Sequence, residues 1–155
     1  MEDFPVHFLN HQSTASIAQQ LTMIDQITKF ADAPARALMA AIFILSGVSK
    51  IGAYQATQGY MEMFGLPSLL LPPTILFEVG AGLALLAGFK TRYIALALAG
   101  FSMATAIIFH ANFSDQIQLI MFLKNVAMTG GLLLFAKVGA PGFSVDQFLA
   151  ARSGK

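Results

Sequence analysis

Four apolar runs, each close to twenty residues long, follow a polar start along this chain. The first, Ala37 to Ser49, is extended by Arg36 and Lys50, whose long stems can snorkel toward a polar boundary; Asp32 followed by Pro34 reads as its helix start. This predicts a membrane span over about 34–54. Pro72 suits a first helical turn, so a second span is expected over 72–89, interrupted by Glu78 alone. Lys90, Thr91 and Arg92 form a tight basic turn before a third span, 93–110, and the fourth, 117–136, carries one charge, Lys124. Each run approaches the ~20 residues that ~30 Å of hydrocarbon requires.

The segments between and around these runs are shorter or more polar. Within residues 1–32, Ile17, Leu21, Ile24 and Ile27 recur at helical spacing opposite Gln20, Asp25 and Thr28. That pattern predicts an amphipathic helix, lying on the membrane surface or packed on a partner subunit. Gly59 to Pro67 reads as a loop with a short interfacial helix around Tyr60 to Phe64, and residues 138–155 read as a tail broken by Gly139, Pro141 and Gly142. The expected fold class is an all-α integral membrane protein: a four-helix transmembrane bundle over residues 33–137, preceded by an amphipathic interfacial helix within 1–32.

Composition agrees with the pattern and narrows the function. The 155 residues are 56% hydrophobic and 11% charged, with a mean hydropathy of +0.68, too few polar groups to cover a water-facing exterior. A net charge of +1 offers no basic stripe for nucleic acid. The absence of cysteine removes disulfides, thiolate metal sites and thiol relays. The N-terminus lacks the basic start and apolar core of a cleavable signal, so it is expected to be retained. Arg36, Lys90, Arg92, Lys137, Arg152 and Lys155 fall on one side of the four spans while Glu62 and Asp115 fall on the other, which predicts cytoplasmic termini. Lys50 and Lys124 break that sorting and need a local explanation.

At 1.5 Å per residue, Glu78 lies about 9 Å below the outer boundary, Lys124 about 10 Å and Lys50 about 6 Å. Asn125 sits beside Lys124, and His110 closes the third span. Small residues a turn away, such as Gly47 below Lys50, Gly82 beside Glu78 and Gly131 below Lys124, mark faces suited to close helix approach. The polar groups are therefore expected to converge in the outer third of the bundle, with Glu78 paired to Lys124 or Lys50. Two readings remain at this point. The set is a polar clasp that fixes helix register, or it lines a pocket in which a lysine or histidine donates to a quinone or lipid carbonyl and the carboxylate relays a proton. His110, flanked by Phe109 and Phe113, also fits an aromatic belt. His7 and His11 precede the bundle on the opposite side, which disfavours a bis-histidine haem, and no di-metal or other metal site is expected.

At these residues the sequence resembles the DoxX-like family of small four-helix bacterial membrane proteins. The resemblance rests on Leu45-Ser46-Gly47-Val48-Ser49-Lys50, on Glu78-Val79-Gly80-Ala81-Gly82 continuing to Gly88 and Thr91-Arg92, on Phe109-His110, and on Phe122-Leu123-Lys124-Asn125 with Gly130-Gly131. It covers about Ala35 to Gly139 in order. It implies a multi-pass protein of the bacterial inner membrane, associated with a quinone-linked oxidoreductase or another redox complex, as a subunit more than as a stand-alone enzyme. Quinone is the one cofactor it brings forward, with Glu78, Lys124, Asn125, Lys50 and His110 as candidate pocket residues. The competing expectation is a non-catalytic accessory protein that docks on a larger membrane complex through the N-terminal segment and its lipid-facing helices; the partners expected are such a complex or a homo-oligomer. Proton-coupled transport is weaker, because four short helices show no inverted repeat.

Overall fold

The computed structural model describes residues 6–154, with side chains described at Thr14 and from Ser16 onward. The side chains of His7 and His11, and with them the expectation about a bis-histidine haem, lie outside the described residues. The chain forms α1 (Val6–Gly52), α2 (Tyr54–Met63), a 3₁₀ turn (Ser68–Leu70), α3 (Leu71–Ala87), α4 (Thr91–Phe109), α5 (Gln116–Val138) and α6 (Val145–Arg152). Among the described residues, four helical segments are long and apolar enough to cross a membrane: Ser16–Gly52, Ser68–Ala87, Thr91–Phe109 and Gln116–Val138. Large apolar side chains such as Leu38, Leu45, Leu76 and Leu134 face outward along them. A lipid-facing exterior accounts for such a surface.

The expected break before the first span is absent. Pro34 lies inside α1, a helix of 47 residues and about 70 Å, more than twice the hydrocarbon thickness. The amphipathic segment and the first span are thus one helix. Asp32, read as the cap of a new helix, uses its Oδ2 atom elsewhere: that oxygen accepts from Arg36 Nε at 3.1 Å and from Gly142 N at 3.3 Å. At the other end of α1 the chain scarcely pauses at Ala53 before α2, which begins several residues earlier than the predicted interfacial helix.

The helices pack as two pairs. α1 runs along α3 and α4 along α5 over long stretches, whereas α3 meets α4 and α1 meets α5 over short ones. Small residues permit the intimate contact within the first pair. A Cβ on Gly47 would lie 2.7 Å from Val79 Cγ2, and one on Gly82 would lie 2.8 Å from Ile44 Cγ1. The shared core is built from Ala40, Phe43, Ala81, Leu85, Ala95, Leu98, Ala99 and Leu132. In lipid, close packing of this kind replaces the hydrophobic drive that water supplies elsewhere.

At the α6 end the two pairs are tied together. Arg36, expected to snorkel, is 1% exposed. Its guanidinium donates to Asp32, to the carbonyls of Leu85 (3.2 Å) and Leu86 (2.6 Å) at the C-terminus of α3, and to the carbonyl of Phe143. Gly88, at φ 68°, closes α3, and a Cβ there would lie 2.8 Å from Arg36 Nη1. The turn to α4 leaves no local cap, so Asp146 of α6 supplies one. Its carboxylate accepts from Lys90 N (2.7 Å), Thr91 N (2.9 Å) and Thr91 Oγ1 (2.8 Å). A cation thus sits at a helix C-terminus and an anion at a helix N-terminus, each favourable to the helix dipole. Residues 139–152 form a docked closure rather than a loose tail.

Candidate functional site

The intramembrane carboxylate and its partner meet across the α1–α3 contact, beside Gly47. Lys50 Nζ lies 2.8 Å from Glu78 Oε2 and 3.0 Å from Oε1, and donates to Ser46 Oγ at 2.7 Å. Ser46 Oγ in turn donates to Glu78 Oε1 at 3.3 Å. Glu78 is 4% exposed, so its charge is withdrawn from solvent and held by the lysine. Gly47 makes this possible, because a Cβ at that position would also press within 3.2 Å of Glu78 Cβ.

The pair lines a cavity of about 510 Å³ between the two helix pairs at the α2 end. Phe43, Tyr60, Met61, Phe101, Ile108 and Phe109 make its walls largely apolar. Polar groups enter from Ser46, Lys50, Glu78, Ser102, Thr105, His110 and Asn125. α2 contributes Tyr60, whose ring stacks on Phe109 at 5.5 Å, while Phe64 meets Phe109 edge-on at 5.2 Å. Tyr60 and Phe109 of this cluster belong to the cavity wall.

Of the five candidate residues, Lys50, Glu78, His110 and Asn125 line the cavity and Lys124 does not. His110 ends α4, with Nδ1 2.7 Å from Gln118 Oε1 on α5. Asn125 Nδ2 donates to the Met121 carbonyl at 3.0 Å, which leaves its side-chain oxygen uncommitted. Lys124 is exposed and has no partner among the described residues. The inward face of α5 centres on Asn125 and Leu132, and one residue of rotation, about 100°, carries Lys124 to the side. Helical spacing placed Lys124 with Gly131, but Gly131 itself sits at the edge of that face, against Met39 of α1.

Two contributors had no signal in the sequence reading. Ser102 is 1% exposed, lines the cavity, and its Oγ has no hydrogen-bond partner. A serine in the run Phe101-Ser102-Met103-Ala104 is indistinguishable by sequence from a small packing residue. Thr105 also lines the cavity, with Oγ1 donating to the Ser102 carbonyl at 3.0 Å. No group of three or more metal-ligating side chains is present among the described residues.

A small membrane bundle enclosing a mixed polar and apolar cavity around a buried ion pair is the class that this geometry defines. The DoxX family profile matches residues 31–111, which contain α2, α3, α4 and the part of α1 that bears Arg36 and Lys50. The chain is 48% identical over 115 residues to inner membrane protein YqjF of Escherichia coli K12, covering 74% of this chain and 88% of that protein. It is 32% identical over 120 residues to inner membrane protein YphA of the same organism, covering 73% and 86%. No solved structure matches. The chain belongs to the DoxX family.

Proposed function

We propose that this DoxX-family protein is an inner-membrane subunit of a quinone-linked oxidoreductase or respiratory complex, and that its cavity receives the quinone head group. The observation that carries the reading is the cavity itself, a space of about 510 Å³ with aromatic walls and a buried ammonium–carboxylate pair, reachable by a lipid-soluble molecule. Aromatic rings offer a stacking surface to a quinoid ring. Glu78 is positioned to hold a proton exchanged with that head, and Lys50 stabilises its carboxylate between exchanges. Electrons would pass to or from a partner redox subunit. The inner-membrane names of both relatives support the location, and the basic residues at the α6 end support a cytoplasmic setting for that end.

The test is isolation in mild detergent followed by organic extraction and identification of bound quinone. Wild-type protein and Lys124→Met should retain it, since Lys124 faces away from the cavity, and Glu78→Gln should lose most of it. Full occupancy in Glu78→Gln would end the pocket assignment.

A second reading has its own support. Ile17, Leu21, Ile24 and Ile27 are each more than half exposed along the extension of α1 beyond the bundle, an apolar face suited to docking on a larger membrane complex. Deleting residues 1–28, which spares the Asp32–Arg36 pair, should release the protein from such a complex with the bundle still folded. A complex that survives the deletion argues against docking through this helix.

A further inference from the structure

Among the buried polar groups of the cavity wall, the charged pair is already committed and one hydroxyl is not. An ammonium has three donors, and Lys50 directs its own to Ser46 Oγ, Glu78 Oε1 and Glu78 Oε2. Ser46 spends its hydroxyl proton on Glu78, and Thr105 spends its own on the Ser102 carbonyl. The ion pair is therefore internally satisfied and has no donor to offer a ligand. Ser102 is the reverse case: the residue lines the cavity, its hydroxyl is buried without a partner, and a rotation about χ1 is what would turn that hydroxyl toward the space. It lies at the same level as Glu78, since each directly follows one ring of the Phe77–Phe101 contact, whose centroids are 5.2 Å apart. A buried hydroxyl left unpaired is costly, and native structures seldom leave one without a use.

We propose that Ser102 Oγ is the hydrogen-bonding anchor of the cavity, donating to a neutral carbonyl or hydroxyl oxygen on the head of an apolar-tailed ligand. This rests on the reading of the cavity as a ligand site and deepens it. The head oxygen enters beside Phe101 and stops where the Ser102 hydroxyl turns to meet it. Ser102 thereby distinguishes oxygen-headed molecules from plain hydrocarbons of the same shape, while the saturated ion pair holds the surrounding wall in place.

The experiment uses the full chain in lipid nanodiscs and three probes: decyl-p-benzoquinone, 1-dodecanol and dodecylbenzene. Their binding is measured by equilibrium partition into protein-loaded against empty discs. Ser102→Ala should weaken the two oxygenated probes about three- to tenfold, the range one neutral hydrogen bond sustains, and leave dodecylbenzene unchanged. The ligand-free melting temperature of the variant should hold or rise, because an unsatisfied buried group has been removed. If dodecanol alone binds and Ser102→Ala weakens it, the anchor stands and the quinone assignment fails. Equal affinity of wild type and variant for the benzoquinone probe overturns the anchor and leaves the quinone reading intact, and equal affinity for dodecanol when dodecanol alone binds overturns both. Failure of both oxygenated probes to bind wild type overturns both. A uniform loss of all three probes together with a lowered melting temperature assigns Ser102 to packing and likewise overturns the anchor.

Discussion

Two buried ion pairs sit near opposite ends of the same bundle, and they are built for different work. Asp32 and Arg36 are neighbours on α1, and the guanidinium fans out to three backbone carbonyls from α3 and the segment before α6. That pair is spent on the fold, because three of the guanidinium contacts go to carbonyls at the end of α3 and in the segment before α6. Lys50 and Glu78 join two helices, α1 and α3, and touch no carbonyl at a helix end. They face open space with an uncommitted serine hydroxyl on the same wall. A pair that closes backbone accounts is spent on the fold; a pair that borders a cavity stands where a ligand would meet it.

Breaking the first pair should have the largest effect. Arg36→Met leaves Asp32 buried without its cation and strips the Leu86 and Phe143 carbonyls of their donor. Loss of about 3–5 kcal/mol is expected, read as a collapse of the melting transition in detergent. Neutralising both partners, as Asp32→Leu with Arg36→Met, should not restore stability, since the carbonyls remain orphaned. Asp146→Ala comes next in size. It uncaps α4 from a distance and should cost about 1–2 kcal/mol, with hydrogen exchange rising first at Lys90 and Thr91. Gly47→Ala forces α1 from α3 where a Cβ would meet Val79 and Glu78. A loss of about 1–3 kcal/mol is expected, together with weakened ligand retention, because the separation also pulls Lys50 from Glu78. The smallest effect belongs to Lys124→Leu, which should shift stability by no more than about 0.5 kcal/mol in thermal melts and leave ligand retention unchanged. A large loss there would place Lys124 back inside the functional layer.

The contrast also explains what could be read from residues alone. Four spans were legible because lipid demands length and apolarity that no soluble helix of this composition needs. The pairing of Glu78 with a lysine was legible because an isolated charge in lipid requires relief. Which lysine was not, since that depends on the rotational phase of α5, and one residue separates the lining Asn125 from the outward Lys124. The closure at the α6 end was hidden for a different reason. Arg36 meets Phe143 across 107 residues and Thr91 meets Asp146 across 55, and a segment rich in glycine, proline and serine looks like a tail until its docking is known. Ser102 gave no sign at all, because what sets it apart is a hydrogen bond it does not make.

The role proposed for the Lys50–Glu78 pair, toward a ligand more than toward global stability, is put to the double substitution Lys50→Met with Glu78→Leu, scored on one preparation for melting temperature and for quinone recovered per protein. Apolar residues of similar size should replace the pair with little loss of stability, as buried ion pairs often allow. A melting temperature near that of wild type with quinone recovery reduced to background is expected. Retained quinone at wild-type level, or unfolding as severe as that of Arg36→Met, would rule the proposed role out.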